Sequence, residues 1–167
     1  VGVTLGNDVN LRDFEGLSAL LLGRAKDNNA SCALGPFIRL IDENYTLDDI
    51  RGLTLKLVVR GEDGFTLEGV SRMSEISRDI EDLVKHCAGT THQYPDGFAL
   101  MTGTLFAPTA DRSQPGMGFT HVAGDMVEIS SQRIGALVNR MNWCDKVPPW
   151  TLGIRDLITN FRRRGLI

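Results

Sequence analysis

No C-x-x-C pair joins any of the three cysteines, Cys32, Cys87 and Cys144, and their odd number and wide spacing give no basis for a disulfide framework or a zinc site. A reducing cytoplasm is the expected setting. Apolar runs of roughly 20 residues, the length a membrane helix needs, are missing, as is a basic and apolar leader. Positive charge is not in excess either. The formal net charge is −3 and the isoelectric point about 5.6, so no overall field exists to hold a polyanion, and neither nucleic acid nor membrane is an expected partner. The sequence has no G-x-S-x-G elbow, P-loop or Rossmann fingerprint, and no internal repeat or low-complexity tract.

What remains is the composition of an ordinary folded domain. Hydrophobic residues are 42% and charged residues 23% of 167, enough chain to bury about two thirds of its unfolded surface in one core. Residues 1–5 alternate apolar and small side chains with period two, as a strand with one buried face does. The chain opens on Val1, without Met, already inside that pattern, which reads as part of a longer chain. Residues 10–22 begin with capping candidates and predict a helix or helical turn closed by Gly23. Residues 24–35 read as a loop, and 36–41 as a short strand. Residues 53–69 hold two alternating runs joined through Asp63-Gly64, a hairpin signal. Ile76, Ile80, Leu83, Val84 and Cys87 recur at helical spacing, with Ser74 as N-cap and Gly89 beyond the end. Residues 97–104 predict a buried strand and 107–118 a long loop. Residues 126–129 and 134–141 form a strand pair after a Gly124-Asp125 turn, and Ile154, Leu157, Ile158 and Phe161 mark a terminal helix. The sum is an α+β fold, mainly β, with two or three helices.

Two places could carry chemistry. Asp8, at a strand end, is a hard oxygen donor for a divalent cation, and Lys26 on the following segment could neutralise an oxygen that the cation also holds; equally, Asp8 caps a turn and Lys26 is solvated. Arg12 and Asp13 read alone are a surface ion pair. Thr102, Gly103 and Thr104 set two hydroxyls around a glycine that leaves room for a carboxylate or phosphate, or simply end a strand. His86 sits at the edge of a helix, His92 and His121 in loops, and none has H-x-x-x-H spacing. Cys87 reads as a small core residue.

In order along the chain, GVTLGNDVNLRD, AKDNNASCALGPF, LMTGT and AGDMVEISSQRIGALVNRM resemble the C-terminal catalytic domain of the fumarylacetoacetate hydrolase superfamily, a mixed β-sheet roll. The resemblance implies that Asp8 of the N-D-x-x-x-R-D pattern ligates a metal, Mg²⁺ or Mn²⁺, and that Arg12 faces the substrate. It puts Lys26, ahead of L-G-P-F, at the site, and assigns the substrate carboxylate to Thr104 beside Gly103. Glu15 stands where many members have Gln. That substitution, with the long TGTLFAPTADRSQPGMGFTH loop and the ending PPWTLGIRDLITNFRRRGLI, points to the branch of 2-keto-3-deoxypentonate dehydratases, which give α-ketoglutarate semialdehyde. A Glu-x-Glu pair that supplies two more metal ligands in the superfamily is not among these residues. Residues 1–167 therefore read as the C-terminal part of a larger enzyme that needs its N-terminal part.

The mechanism so implied starts with chelation of a 2-keto acid by the metal, which stabilises the enolate formed when a C3 proton leaves, with Lys26 adding positive charge at the oxyanion. Arg12 and Thr104 orient the carboxylate, and Glu15 positions water or assists proton transfer. His92 and His121 are candidates for the base. Acylpyruvate hydrolysis, oxaloacetate decarboxylation and a non-catalytic binding domain are the alternatives, and a homo-oligomer, dimer or larger, is expected.

Overall fold

The computed structural model describes residues 1–11, 14, 18, 20, 22–104, 110–112, 114–116 and 119–167. They fall into two compact units, Val1–Asp8 with Cys32–Asn142, and Val9–Ser31 with Trp143–Ile167.

The first unit is built from antiparallel pairs. Strand β1 (Gly2–Asp8) runs beside β2 (Cys32–Leu40). Both are longer than their apolar patterns predict: the pairing continues through Asn7 opposite Ala33 and Asp8 opposite Cys32, so a small, polar stretch expected as a loop becomes strand. A partner backbone supplies the ladder that side-chain propensity does not. Between the pairs Val3–Arg39 and Leu5–Gly35 the register shifts, a bulge in β2 at Pro36, which has no N–H to give a ladder.

The hairpin predicted from Asp63-Gly64 is present as β3 (Thr54–Arg60) and β4 (Thr66–Arg72), and Gly64 takes the left-handed φ of +83° that the turn requires. Strands β5 (Met126–Ser131) and β6 (Gly135–Arg140) complete a four-stranded sheet in the order β4-β3-β5-β6. Alternation sorts its residues. Leu55, Ile129 and Leu137 pack with Leu5 of β1, Tyr45, Ile50, Leu53 and Ile134 in one apolar cluster. Val59, Leu67, Val127 and Phe119 form a second. The opposite face carries the ion pairs Lys56–Glu68 and Arg60–Glu128.

Short helix α2 (Leu47–Arg51) is capped by Thr46, whose partner in the capping box is Asp49, and buries Ile50. The amphipathic helix predicted from residue 75 begins later, as α3 (Ile80–Cys87). Its N-cap is Asp79, not Ser74: the Asp79 carboxylate accepts from the N–H of Glu81 at 2.9 Å, while residues Met73–Glu75 form a separate 3₁₀ turn. Residues 97–104 are not the buried strand their apolar pattern predicts. No described strand pairs with them, and Phe98 and Met101 are 42% and 39% exposed.

In the second unit, α1 (Leu22–Lys26) precedes the turn into β2; it starts at the last residue of the helix expected over 10–22 and continues through Gly23 into residues expected as loop, while residues 12, 13, 15–17, 19 and 21 of that expected helix lie outside the described residues. The helix α4 (Ile154–Arg163) carries the predicted stripe of Ile154, Leu157, Ile158 and Phe161, and the Asp156 carboxylate accepts from the N–H of Gly153 at its start. With α1 and α2 added, the described residues hold four α-helices in a mainly β, α+β fold.

Candidate active site

Alternation along β1 decides what Asp8 can do. Val3, Leu5 and Asn7 point inward, with Leu5 fully buried, whereas Gly6 and Asp8 lie on the exposed face with Leu34 and Cys32 of β2 opposite them. A carboxylate on that face is held by a ladder rather than by a mobile loop. Asn7, one residue earlier and on the inner face, donates its side-chain N–H to the Asn139 Oδ1 of β6 at 3.1 Å.

The exposed face of β1 is also where the M-T-G-T segment passes. A Cβ added to Gly6 would lie 3.3 Å from the Met101 Cε and 3.4 Å from the Leu34 Cδ2, so Gly6 leaves just the room that Met101 fills. Three residues on, Thr104 is exposed. Thr102 is half-buried, its hydroxyl 3.9 Å from the sulfur of Met73, and Gly103 takes a left-handed φ of +75° between the two threonines. Residues of all four sequence blocks therefore meet around β1 within one unit.

A second meeting occurs in the other unit. The Leu11 N–H donates to the carbonyl of Ala25 at 2.9 Å, and the Val9 N–H to that of Ser31 at 2.9 Å, so the chain after Asp8 is bonded to the segment that carries Lys26. Lys26 ends α1, half-buried behind the fully buried Ala25. The turn after it is tied by the Ser31 hydroxyl, which donates to the carbonyls of Lys26 and Asn28 at 2.6 and 2.8 Å, and Ala30 adopts a left-handed φ of +54° there. Arg12, Asp13 and Glu15 lie outside the described residues.

The histidines are engaged elsewhere. His92 shares a hydrogen bond of 2.9 Å with the hydroxyl of Tyr94, and His86 is exposed beside Arg78 and Asp82. His121 packs edge-on against Phe119 and lies 3.5 Å from Asp125; burial pushes its imidazole below the usual histidine range against the pull of that carboxylate.

A second charged cluster escapes the sequence reading. Arg112, from the long loop, reaches the β3–β4 turn and the turn before β5. Its guanidinium donates to both oxygens of Asp125 at 2.6 and 2.9 Å and to Asp63 at 3.0 Å, and stacks over the Phe65 ring at 4.5 Å. The Arg112 and Asp125 side chains are 4% and 1% exposed. Burial pushes the Asp125 carboxyl up, but Arg112 and the Val122 N–H outweigh it and hold it below the ordinary carboxylate range. Its only trace in the sequence is a lone arginine in a Pro- and Gly-rich loop. The Asn7–Asn139 pair is more legible, since each amide interrupts an inward apolar lane, Val3-Leu5-Asn7 and Leu137-Asn139.

For a metal, Asp8 has suitable donor chemistry, a hard carboxylate oxygen on the exposed face of β1. Among the described residues no group of three His, Cys, Asp or Glu could hold an ion.

Comparison with known proteins identifies the family. The family described as fumarylacetoacetate (FAA) hydrolase C-terminal matches residues 1–142. The chain is 33% identical over 141 residues to 2-dehydro-3-deoxy-D-arabinonate dehydratase of Saccharolobus solfataricus, covering 83% of this chain and 43% of that protein. It is 30% identical over 140 residues to the probable 2-keto-3-deoxyxylonate dehydratase of Haloferax volcanii, covering 83% and 44%. Among solved structures, 2-keto-3-deoxy-D-arabinonate dehydratase complexed with magnesium and 2,5-dioxopentanoate superposes with a TM-score of 0.64 at 28% identity, over 83% of this chain and 46% of that one. The chain spans somewhat less than half the length of the curated relatives it matches. By the extent of the family match and the fold it shares with these relatives, it belongs to the fumarylacetoacetate hydrolase family, in that family's C-terminal domain.

Proposed function

We propose that this chain is the C-terminal catalytic part of a magnesium-dependent hydro-lyase that removes water from a 2-keto-3-deoxypentonate to give α-ketoglutarate semialdehyde. The observation that carries the reading is the ligand of the solved relative, since 2,5-dioxopentanoate is that semialdehyde. The approach of the M-T-G-T segment to β1 at Gly6, two residues from Asp8, supports it.

A divalent cation, Mg²⁺ or Mn²⁺, supplies a Lewis acid for the carboxylate and keto oxygens of the substrate and makes its C3 protons more acidic. Asp8 is one of the ligands, and a Glu-x-Glu pair in the longer protein supplies two more. Lys26 brings positive charge to the keto oxygen as it becomes an oxyanion. Arg12 and Thr104 orient the carboxylate, Gly103 leaving the space beside it, and Glu15 positions water or carries a proton. Loss of a C3 proton and of the C4 hydroxyl, as water, leaves a C3–C4 alkene conjugated with the keto group. Transfer of a proton from C5 and one from its hydroxyl back to C3 and C4 turns the terminal alcohol into the aldehyde.

The protein works in the cytoplasm as a homo-oligomer, dimer or larger. The three cysteines, none of them in a disulfide, fit that setting, and no helix among the described residues is long and apolar enough to cross a membrane.

The test is to incubate the full-length protein with Mg²⁺ and 2-keto-3-deoxypentonates and trap the semialdehyde. Pyruvate released from acylpyruvates or oxaloacetate instead would assign the hydrolase or decarboxylase activity of the family. Neither turnover nor any effect of Mg²⁺ on the melting temperature would leave a binding domain. Normal turnover in both Asp8→Ala and Lys26→Ala would overturn the residue roles.

A further inference from the structure

We infer that Asn139 is a positioning residue for the metal ligand Asp8, acting through Asn7; the inference rests on the reading of Asp8 as a ligand. A two-stranded ribbon is marginal by itself, and Asp8 is the last residue of one, paired with Cys32 at the first residue of the other strand. The ribbon end is tied to the four-stranded sheet by the hydrogen bond from the Asn7 Nδ2 to the Asn139 Oδ1, 3.1 Å long, partly buried and linking positions 132 residues apart. Burying two amides within the apolar lanes is unfavourable unless they satisfy each other, so the pair is selective for one height and one twist of β1 over β6. Because Asn7 and Asp8 point to opposite faces of the same strand, fixing the first amide from below fixes where the carboxylate projects above. The pair is also neutral, so it sets the direction of Asp8 without altering the charge that a cation meets. Outer groups that orient metal ligands typically matter by about 10- to 100-fold in metal affinity.

The experiment uses the full-length protein and reads Mn²⁺ binding by the electron paramagnetic resonance of free Mn²⁺, the Mg²⁺ midpoint of turnover, and the melting temperature in chelator. Asn139→Leu, similar in volume but without the acceptor, should weaken Mn²⁺ binding about 10- to 100-fold and raise the Mg²⁺ midpoint in parallel. Asn139→Gln, which keeps a neutral amide oxygen as acceptor, should recover part of the affinity lost in Asn139→Leu. Asn7→Ala removes the donor from the other side and should reproduce the weakening, which keeps the question answerable if the leucine variant does not fold. Mn²⁺ affinity unchanged in both Asn139→Leu and Asn7→Ala, with only the metal-free melting temperature lowered, would make the bond a packing contact and overturn the inference while Asp8 stays a ligand. Undiminished Mn²⁺ binding in Asp8→Asn would overturn the ligand reading and the inference with it.

Discussion

Asp8 and Asp125 occupy similar places in the chain, one closing β1 and the other just ahead of β5, yet their surroundings are opposite. Asp125 is 1% exposed and takes two hydrogen bonds from the Arg112 guanidinium and one from the Val122 N–H. Asp8 stands on the exposed face of a ribbon, with glycine and apolar neighbours and the M-T-G-T segment nearby. A carboxylate surrounded by the chain's own donors has its charge committed to the fold. One on the exposed face of a strand stays in reach of solvent and of whatever solvent carries. The local sequence, a small or polar residue followed by Asp, is nearly the same at both sites, and the difference comes from what the distant chain brings.

The comparison breaks most visibly at Arg112. Arg112→Ala leaves the Asp125 carboxylate buried without its main partner, a situation that costs about 3–5 kcal/mol. Denaturant titration should show that loss, and Arg112→Lys should recover only part of it because an ammonium cannot match both oxygens at once. The next largest effect belongs to the other carboxylate and appears in a different measurement. On the proposed ligand role, Asp8→Asn should lower turnover at fixed Mg²⁺ by at least about 100-fold, since a ligand itself matters no less than the groups that orient it, with a melting temperature in chelator far less affected than that of Arg112→Ala. A variant of Asp8 that chiefly lost stability would erase the distinction.

How far the sequence foretells this division depends on how local each signal is. The β3–β4 hairpin is written in adjacent residues, two alternating runs and an Asp-Gly turn, and so is the stripe of α4. The Asp8 and Thr104 positions are legible as motifs. Strand character at residues 32–35 is not, because it comes from pairing with β1, and residues 97–104 look like a strand yet find none to pair with among the described residues. The start of α3 is missed for a related reason: Asp79 is the N-cap where Arg51, 28 residues away, also holds its carboxylate. Arg112 is the extreme case, since nothing near position 112 announces carboxylates 49 residues before it and 13 after it.

A smaller effect probes the packing around the buried site without touching any charge. Gly61, at the β3–β4 turn, has no side chain, and a Cβ there would overlap both the Asp63 Oδ1 and the Arg112 Nη2. Those atoms are the ends of side chains but are held by each other, so the methyl group of Gly61→Ala has to push the cluster apart. Overpacking of this kind costs about 1–3 kcal/mol. Gly64→Ala, whose added atom meets nothing within 4 Å but whose φ is +83°, separates the steric effect from the conformational one. Loss of stability in Gly61→Ala with turnover at saturating Mg²⁺ intact would keep the two carboxylates in separate roles.

The mildest test asks whether an exposed carboxylate can serve the fold as Asp125 does. Asp79 is such a case: the Arg51 guanidinium first, and the Glu81 N–H second, hold its carboxyl at a pKa of about 2, against an ordinary value of 3.8. A carboxyl whose pKa is lower in the folded state stabilises the fold fully above its unfolded value. That contribution fades as pH falls from about 4 through the folded value near 2. Arg51 also pairs with Asp48 and Glu81, so Arg51→Met removes the cation from three carboxylates at once. Acid unfolding of Arg51→Met should therefore begin at higher pH than in the parent, with little difference between the two proteins at low pH where the carboxyls are protonated in both. Because these side chains are partly exposed, the shift should shrink in high salt, whereas the loss in Arg112→Ala should persist. Identical acid transitions for Arg51→Met and the parent would confine electrostatic support of this fold to the buried cluster.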